Sequence, residues 1–135
     1  MSLEPETKCW EFATGRDAPR LAREAVCVYA TASGARDGVL AAVKLCVSEA
    51  VTNAVVHGYR DTGACGRVTL RAQRVLDRLH VIVRDDGCGL VPRPDSPGAG
   101  LGLPMISQLA HGLEIRVPED GGTEVSMRFN LDAEE

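Results

Sequence analysis

A chain of 135 residues is the usual size of one domain and is long enough to bury a single core. Hydrophobic residues at 44% and charged residues at 25% are ordinary for a soluble globular protein, and aromatics at 4% leave Val, Leu and Ala to fill the core. The net charge of -4, with no long run of either sign, disfavours nucleic acid as a direct partner.

In chain order, Lys8-Cys9-Trp10-Glu11-Phe12 alternates weakly and reads as an edge strand. Asp17, Ala18 and Pro19 form a helix-start signal. Leu21, Ala25, Val28, Tyr29 and Ala32 fall on one face of the helix that follows, and Gly34 is its stop. Arg16, Arg20 and Arg23 cluster near its start, away from that face; they read as a solvated surface, with an acidic partner as the alternative. Gly38 to His57 predicts a long second helix with Leu40, Val43, Val47, Ala50, Val51 and Ala54 as its buried stripe and Gly58 as its end. A turn at Asp61–Gly66 precedes two alternating strands, one through Val68, Leu70 and Ala72 and one through Leu79, Val81 and Val83. The stretch from Gly87 to Gly102 is rich in Gly and Pro, a loop long enough to be functional. A short helix from about Pro104 to Ala110 and strands at Leu113–Val117 and Thr123–Leu131 close the chain.

Helices and strands do not alternate strictly, which argues against a doubly wound parallel sheet. The better fit is an α+β two-layer sandwich, a mixed, mostly antiparallel sheet with helices on one face, folded as a single domain over residues 1–135. The five cysteines at 9, 27, 46, 65 and 88 include no CxxC pair, so a disulfide framework or zinc site is disfavoured and a reducing compartment is expected. With no leader and no apolar run long enough to span a bilayer, the expected location is cytoplasmic, away from membranes.

Glu49, Asn53 and His57 are spaced by four, so they lie along one narrow stripe of the second helix, beside the buried Ala50, Val51 and Ala54. An acid and an amide at a buried edge need a partner. A hydrated Mg²⁺, which takes a few protein oxygens plus phosphates, would be one; Asn53 would be its ligand and Glu49 a general base one turn back. A solvated polar edge is an equally good account of the stripe alone. Asp85 shares the parity of Leu79, Val81 and Val83, so it points inward at a strand end, where an adenine amine is a suitable donor to its carboxylate. Gly87 and Gly89 would let the backbone turn close to a ligand, although Asp-Gly is also a common turn pair. Gly98, Gly100, Leu101 and Gly102 lead into a helix with Pro104 in its first turn, an anion site by virtue of free N–H groups and the helix dipole, or a connector with a cap. No Gly-Lys-Ser/Thr follows, and no strand precedes, so neither a Walker A loop nor a dinucleotide fingerprint fits. Thr123 shares the parity of Val125, Met127 and Phe129 and would face the same pocket end as Asp85, unless it is merely the residue after a Gly-Gly turn.

Taken in order, Glu49-x-x-x-Asn53, Asp85-x-Gly87-x-Gly89, Gly98–Gly102 and Gly122-Thr123 resemble the four nucleotide-binding boxes of the GHKL superfamily of gyrase, the large heat-shock chaperone, histidine kinases and mismatch-repair ATPases. The tracts Ser48–Tyr59 and Gly100–Ile106 are similar to those of its stand-alone members, the anti-sigma regulatory factors that double as serine-protein kinases. In a chain of this length neither a phospho-acceptor hairpin nor a second catalytic domain is expected. The resemblance implies a cytoplasmic bacterial switch that binds ATP and Mg²⁺, holds a sigma factor, and phosphorylates a serine on an anti-anti-sigma partner. By the same resemblance Glu49 is the base, Asn53 the Mg²⁺ ligand, Asp85 and Thr123 the adenine contacts and Gly98, Gly100, Leu101 and Gly102 the phosphate-facing lid. His57 approaches a phosphate or is structural, and a homodimer follows by analogy. The alternative is a module of the same fold that binds ATP without kinase activity, or whose target is not a sigma factor.

Overall fold

The structure, a computed structural model, describes residues 7–13, 15–62, 66–86, 102–119 and 122–132; of residues 56–62 and 102–104 it describes the backbone only. Eight elements follow one another: β1 (Lys8–Ala13), α1 (Ala18–Ala32), α2 (Asp37–Thr62), β2 (Arg67–Val75), β3 (Arg78–Asp85), α3 (Gly102–Leu109), β4 (Gly112–Arg116) and β5 (Thr123–Asn130). The strands form one sheet in the order β1-β2-β3-β5-β4, and every neighbouring pair is antiparallel. Val68, Leu70 and Ala72 of β2, Leu79, Val81 and Val83 of β3, and Val125, Met127 and Phe129 of β5 are buried on one side of the sheet, while their alternate neighbours are exposed or half-buried on the other. The helices cover the buried side, as the two-layer α+β expectation required. α2 is central, touching α1, α3, β2, β3 and β5; α1 reaches β1 and β2, and α3 reaches β4.

The face of α1 corrects the sequence reading. Its buried residues are Ala18, Ala22, Val26, Tyr29 and Ala30, whereas Leu21 is 40% and Val28 72% exposed, and Ala32 is exposed as well. The stripe is displaced by one residue, a rotation of about 100°. Small side chains let α1 lie close on α2, so alanines take the contact that bulk alone assigned to Leu21 and Val28. Gly34 does follow the helix, with φ +91°, and its neighbour Ala35 donates its N–H to the Ala30 carbonyl. Arg20 lies 3.9 Å from the Asp17 carboxylate and 3.4 Å from that of Glu24, and Arg23 reaches the Ser48 hydroxyl at 3.5 Å; with Arg16 they occupy exposed positions.

Tyr29 ties α1 to the sheet. Its hydroxyl accepts the Arg74 backbone N–H at 3.0 Å, and its ring meets that of Trp10 edge-on at 6.4 Å. Replacing Tyr29 by Phe should cost about 1 kcal/mol, the net worth of one hydrogen bond. The check is a lowered urea midpoint with faster hydrogen exchange at the Arg74 amide; an unchanged midpoint would remove the assignment.

α2 also departs from expectation at its end, continuing through Gly58 to Thr62. A glycine in a helix interior costs only about 1 kcal/mol relative to alanine, too little to stop a long packed helix. Over Asp37–Val55 this helix is long and apolar enough to cross a membrane by length and composition, contrary to the expectation that no such run exists. Its apolar residues serve the fold instead: Val39, Val43, Cys46, Val47, Ala50, Val51 and Ala54 are all buried in the core. Burial pushes the Cys46 thiol up to about 12, which keeps it protonated and unreactive at neutral pH. Cys9, Cys27 and Cys46 are all free.

Candidate functional site

Glu49 and Asn53 stand one turn apart on α2, at the border of its buried stripe. Ala50, Val51 and Ala54 beside them are buried, Glu49 is half-buried, and Asn53 is only 7% exposed. The Asn53 Oδ1 is buried, and among the described residues nothing donates to it. A buried acceptor without a donor costs roughly 1–3 kcal/mol. That cost makes the amide oxygen a place for a cation or a ligand donor, and a neutral carbonyl-type oxygen suits a hard cation such as Mg²⁺. Among the described residues no three of His, Cys, Asp and Glu are grouped to hold a metal by themselves. A cation at Asn53 would therefore draw its remaining oxygens from water and from a phosphate-bearing ligand.

The second half of the site comes from the sheet. Asp85, the last residue of β3, is the direct cross-strand partner of Thr123, the first residue of β5. Both share the parity of buried core positions, and Thr123 is 6% exposed. Asp86 faces the other way. Its carboxylate accepts the Arg67 backbone N–H at 2.8 Å, and its own N–H reaches the Arg67 carbonyl at 3.3 Å. Asp86 thus clamps the start of β2 to the end of β3, and Asp85, by the parity of its strand, lies on the helix side.

Gly122 completes this corner and is the residue whose role sequence reasoning understated. Its φ is +83°, and a Cβ built on it would collide with the Asp85 carbonyl oxygen. The chain therefore approaches the Asp85 backbone closely only because position 122 has no side chain. The Gly-Gly turn was the available signal, but a turn does not announce which neighbour it crowds.

The structure brings Glu49, Asn53, Asp85 and Thr123 to the helix side of one sheet, through the contacts of α2 with β3 and β5. Gly102 is the first residue of α3, and the fully buried Ile106 helps seat that helix, which packs on α2. His57 lies on α2 by its backbone, its side chain outside the description. Gly87, Gly89, Gly98, Gly100 and Leu101 lie outside the described residues.

The profile of the histidine kinase-like ATPase domain matches residues 13–129, and the chain belongs to that family. It is similar to the anti-sigma F factor of Clostridium novyi (strain NT), 29% identical over 132 residues that cover 90% of this chain and 92% of the relative. It is also similar to the sensor histidine kinase PdtaS of Mycobacterium tuberculosis, 34% identical over 93 residues, 64% of this chain and 19% of that protein. The crystal structure of the RsbU and RsbW domains of Rv1364c from Mycobacterium tuberculosis superposes with a TM-score of 0.73 over 94% of this chain and 33% of that one, at 23% identity, a likeness of fold. The GHKL resemblance and the two-layer architecture expected from the sequence are both borne out.

Proposed function

We propose that this chain is an ATP-binding anti-sigma factor that phosphorylates a serine on an anti-anti-sigma partner. The observation that carries the reading is the buried, donorless Asn53 Oδ1 one turn from Glu49, in a chain of the histidine kinase-like ATPase family. Full-length similarity to an anti-sigma F factor supports the choice of partners. In this reading residues 1–135 act as one ATP-binding domain in the cytoplasm. Mg²⁺ bound there would draw charge from the phosphates during transfer. Asn53 holds that ion, and Asp85 with Thr123 accepts and orders the adenine edge. By the GHKL resemblance Gly87, Gly89, Gly98, Gly100, Leu101, Gly102 and His57 are the remaining nucleotide-binding residues of this reading. Glu49 takes the proton from the incoming serine hydroxyl, whose oxygen bonds to the γ-phosphorus of ATP as the bond from that phosphorus to the β–γ bridging oxygen breaks and ADP leaves.

The test is ATP affinity measured with and without Mg²⁺, for the native chain and for Asp85→Asn. A charge-assisted hydrogen bond contributes roughly 1.5–3 kcal/mol, so the variant should bind about 10- to 100-fold more weakly. Removing Mg²⁺ should weaken binding to the native chain as well. A native chain that leaves ATP unbound at millimolar concentration would sink the reading.

A further inference from the structure

We infer that the solvent-facing side of the sheet, around Arg71, Arg78 and Arg128, is a docking surface for a carboxylate-rich segment of a protein partner. The register brings these residues together. His80 of β3 stands opposite Gln73 on one side and Arg128 on the other, Arg78 lies two residues before His80 on the same strand, and Arg71 lies two residues from Gln73. With strands about 4.8 Å apart and about 3.4 Å between successive residues, the three guanidinium-bearing positions fall within roughly 15 Å of one another on β2, β3 and β5. All three arginines are exposed, and among the described residues none is ion-paired. Gly112, opposite Arg128 on β4, supplies room: a Cβ there would press on the Arg128 guanidinium, which lies over the bare glycine. The effect on His80 reports the same convergence. Burial first, then Arg128, Arg71 and Arg78, push its imidazole below the ordinary range.

The acids on this face are engaged or set apart. Glu11 pairs with Arg67 at 2.8 Å and Glu124 with Arg116 at 3.2 Å. Together with Glu114 they border the basic cluster. The border selects the partner. A nucleic acid would carry its phosphates across Glu11, Glu114 and Glu124, and the described aromatics Trp10, Phe12, Tyr29 and Phe129 sit on the helix side, leaving the face without a stacking platform. A second copy docked by this same patch would set guanidinium against guanidinium. A compact run of carboxylates fits instead, because arginine binds them through two parallel hydrogen bonds. The surface lies on the opposite side of the sheet from Asp85 and Thr123, so it does not depend on the nucleotide reading.

The experiment is an NMR titration of the full chain at low salt with an octaglutamate peptide, beside an eight-nucleotide single strand. The peptide should perturb the outward residues of β2, β3 and β5 and raise the pH at which the His80 imidazole titrates. Arg71→Ser with Arg128→Ser should weaken peptide binding tenfold or more and leave ATP affinity unchanged. The inference is overturned if the double variant binds equally well, if the perturbations map elsewhere, or if the oligonucleotide binds these residues more tightly than the peptide. It is overturned equally if the face is covered by a second copy, seen as a dimer in sedimentation that the double variant dissolves.

Discussion

Glu49→Ala should reduce phosphotransfer to a serine-bearing partner by about 10²- to 10⁴-fold, the usual contribution of a positioned general base. ATP affinity should stay within a factor of about two, because in the proposed reading Asn53, Asp85 and Thr123 hold the nucleotide. The contrast between the two measurements is what matters. A polar edge of no functional consequence would move neither quantity, and a misfolded variant would lose both. Single-turnover transfer and equilibrium nucleotide binding on the same preparation make the comparison. If transfer survives at the native rate, Glu49 is not the base, and the reading in which ATP is bound without kinase activity gains what this one loses.

Among the described glycines, Gly122→Ala should be the most damaging substitution. Position 122 has φ +83°, and its added Cβ meets the Asp85 carbonyl oxygen, a backbone atom that cannot rotate away. The left-handed conformation costs a non-glycine residue about 1–2 kcal/mol, and forcing an extra methyl into a packed site adds about 1–3 kcal/mol. A loss of about 3 kcal/mol in urea unfolding is expected, with weaker ATP binding as the end of β3 shifts. Gly34 provides the control. Its φ is similar, +91°, but open space surrounds its Cβ position, so Gly34→Ala should cost only the conformational part and leave ATP affinity alone. Equal costs at the two positions would refute the close-approach account.

The parts of the fold legible in the sequence are those where period and bulk agree. β2, β3 and β5 alternate cleanly, so their inward residues, and with them Asp85 and Thr123, follow from parity alone. The i, i+4 spacing likewise placed Glu49 and Asn53 on one line of α2. The reading failed where bulk and burial separate. α1 is buried through Ala18, Ala22 and Ala30, whose weak hydrophobicity is outvoted in any pattern by Leu21 and Val28 on the exposed side. α2 touches two helices and three strands, so its apolar residues spread around the axis and its end is not marked by a change of pattern. Gly58 resembled a stop because glycines often follow helices, but one glycine inside a long helix costs only about 1 kcal/mol. That the Asn53 oxygen lacks a donor, or that Gly122 crowds one particular carbonyl, depends on atoms distant in sequence, and no spacing rule reports it.

The pairing of Asp85 with Thr123 across β3 and β5 has a consequence for how this chain can change over time. Side chains alternate from one face of a sheet to the other, so inserting or deleting one residue in either strand turns every later position over and sends one of the two to the opposite face. A substitution within either strand alters one position, whereas a change of length displaces every position that follows it. Segments that join the elements carry no such restriction. Variation in length should therefore collect between the strands and vanish inside β3 and β5, so the spacing from Leu79 to Asp85 and from Thr123 to Phe129 is expected to outlast most of the residues that fill it.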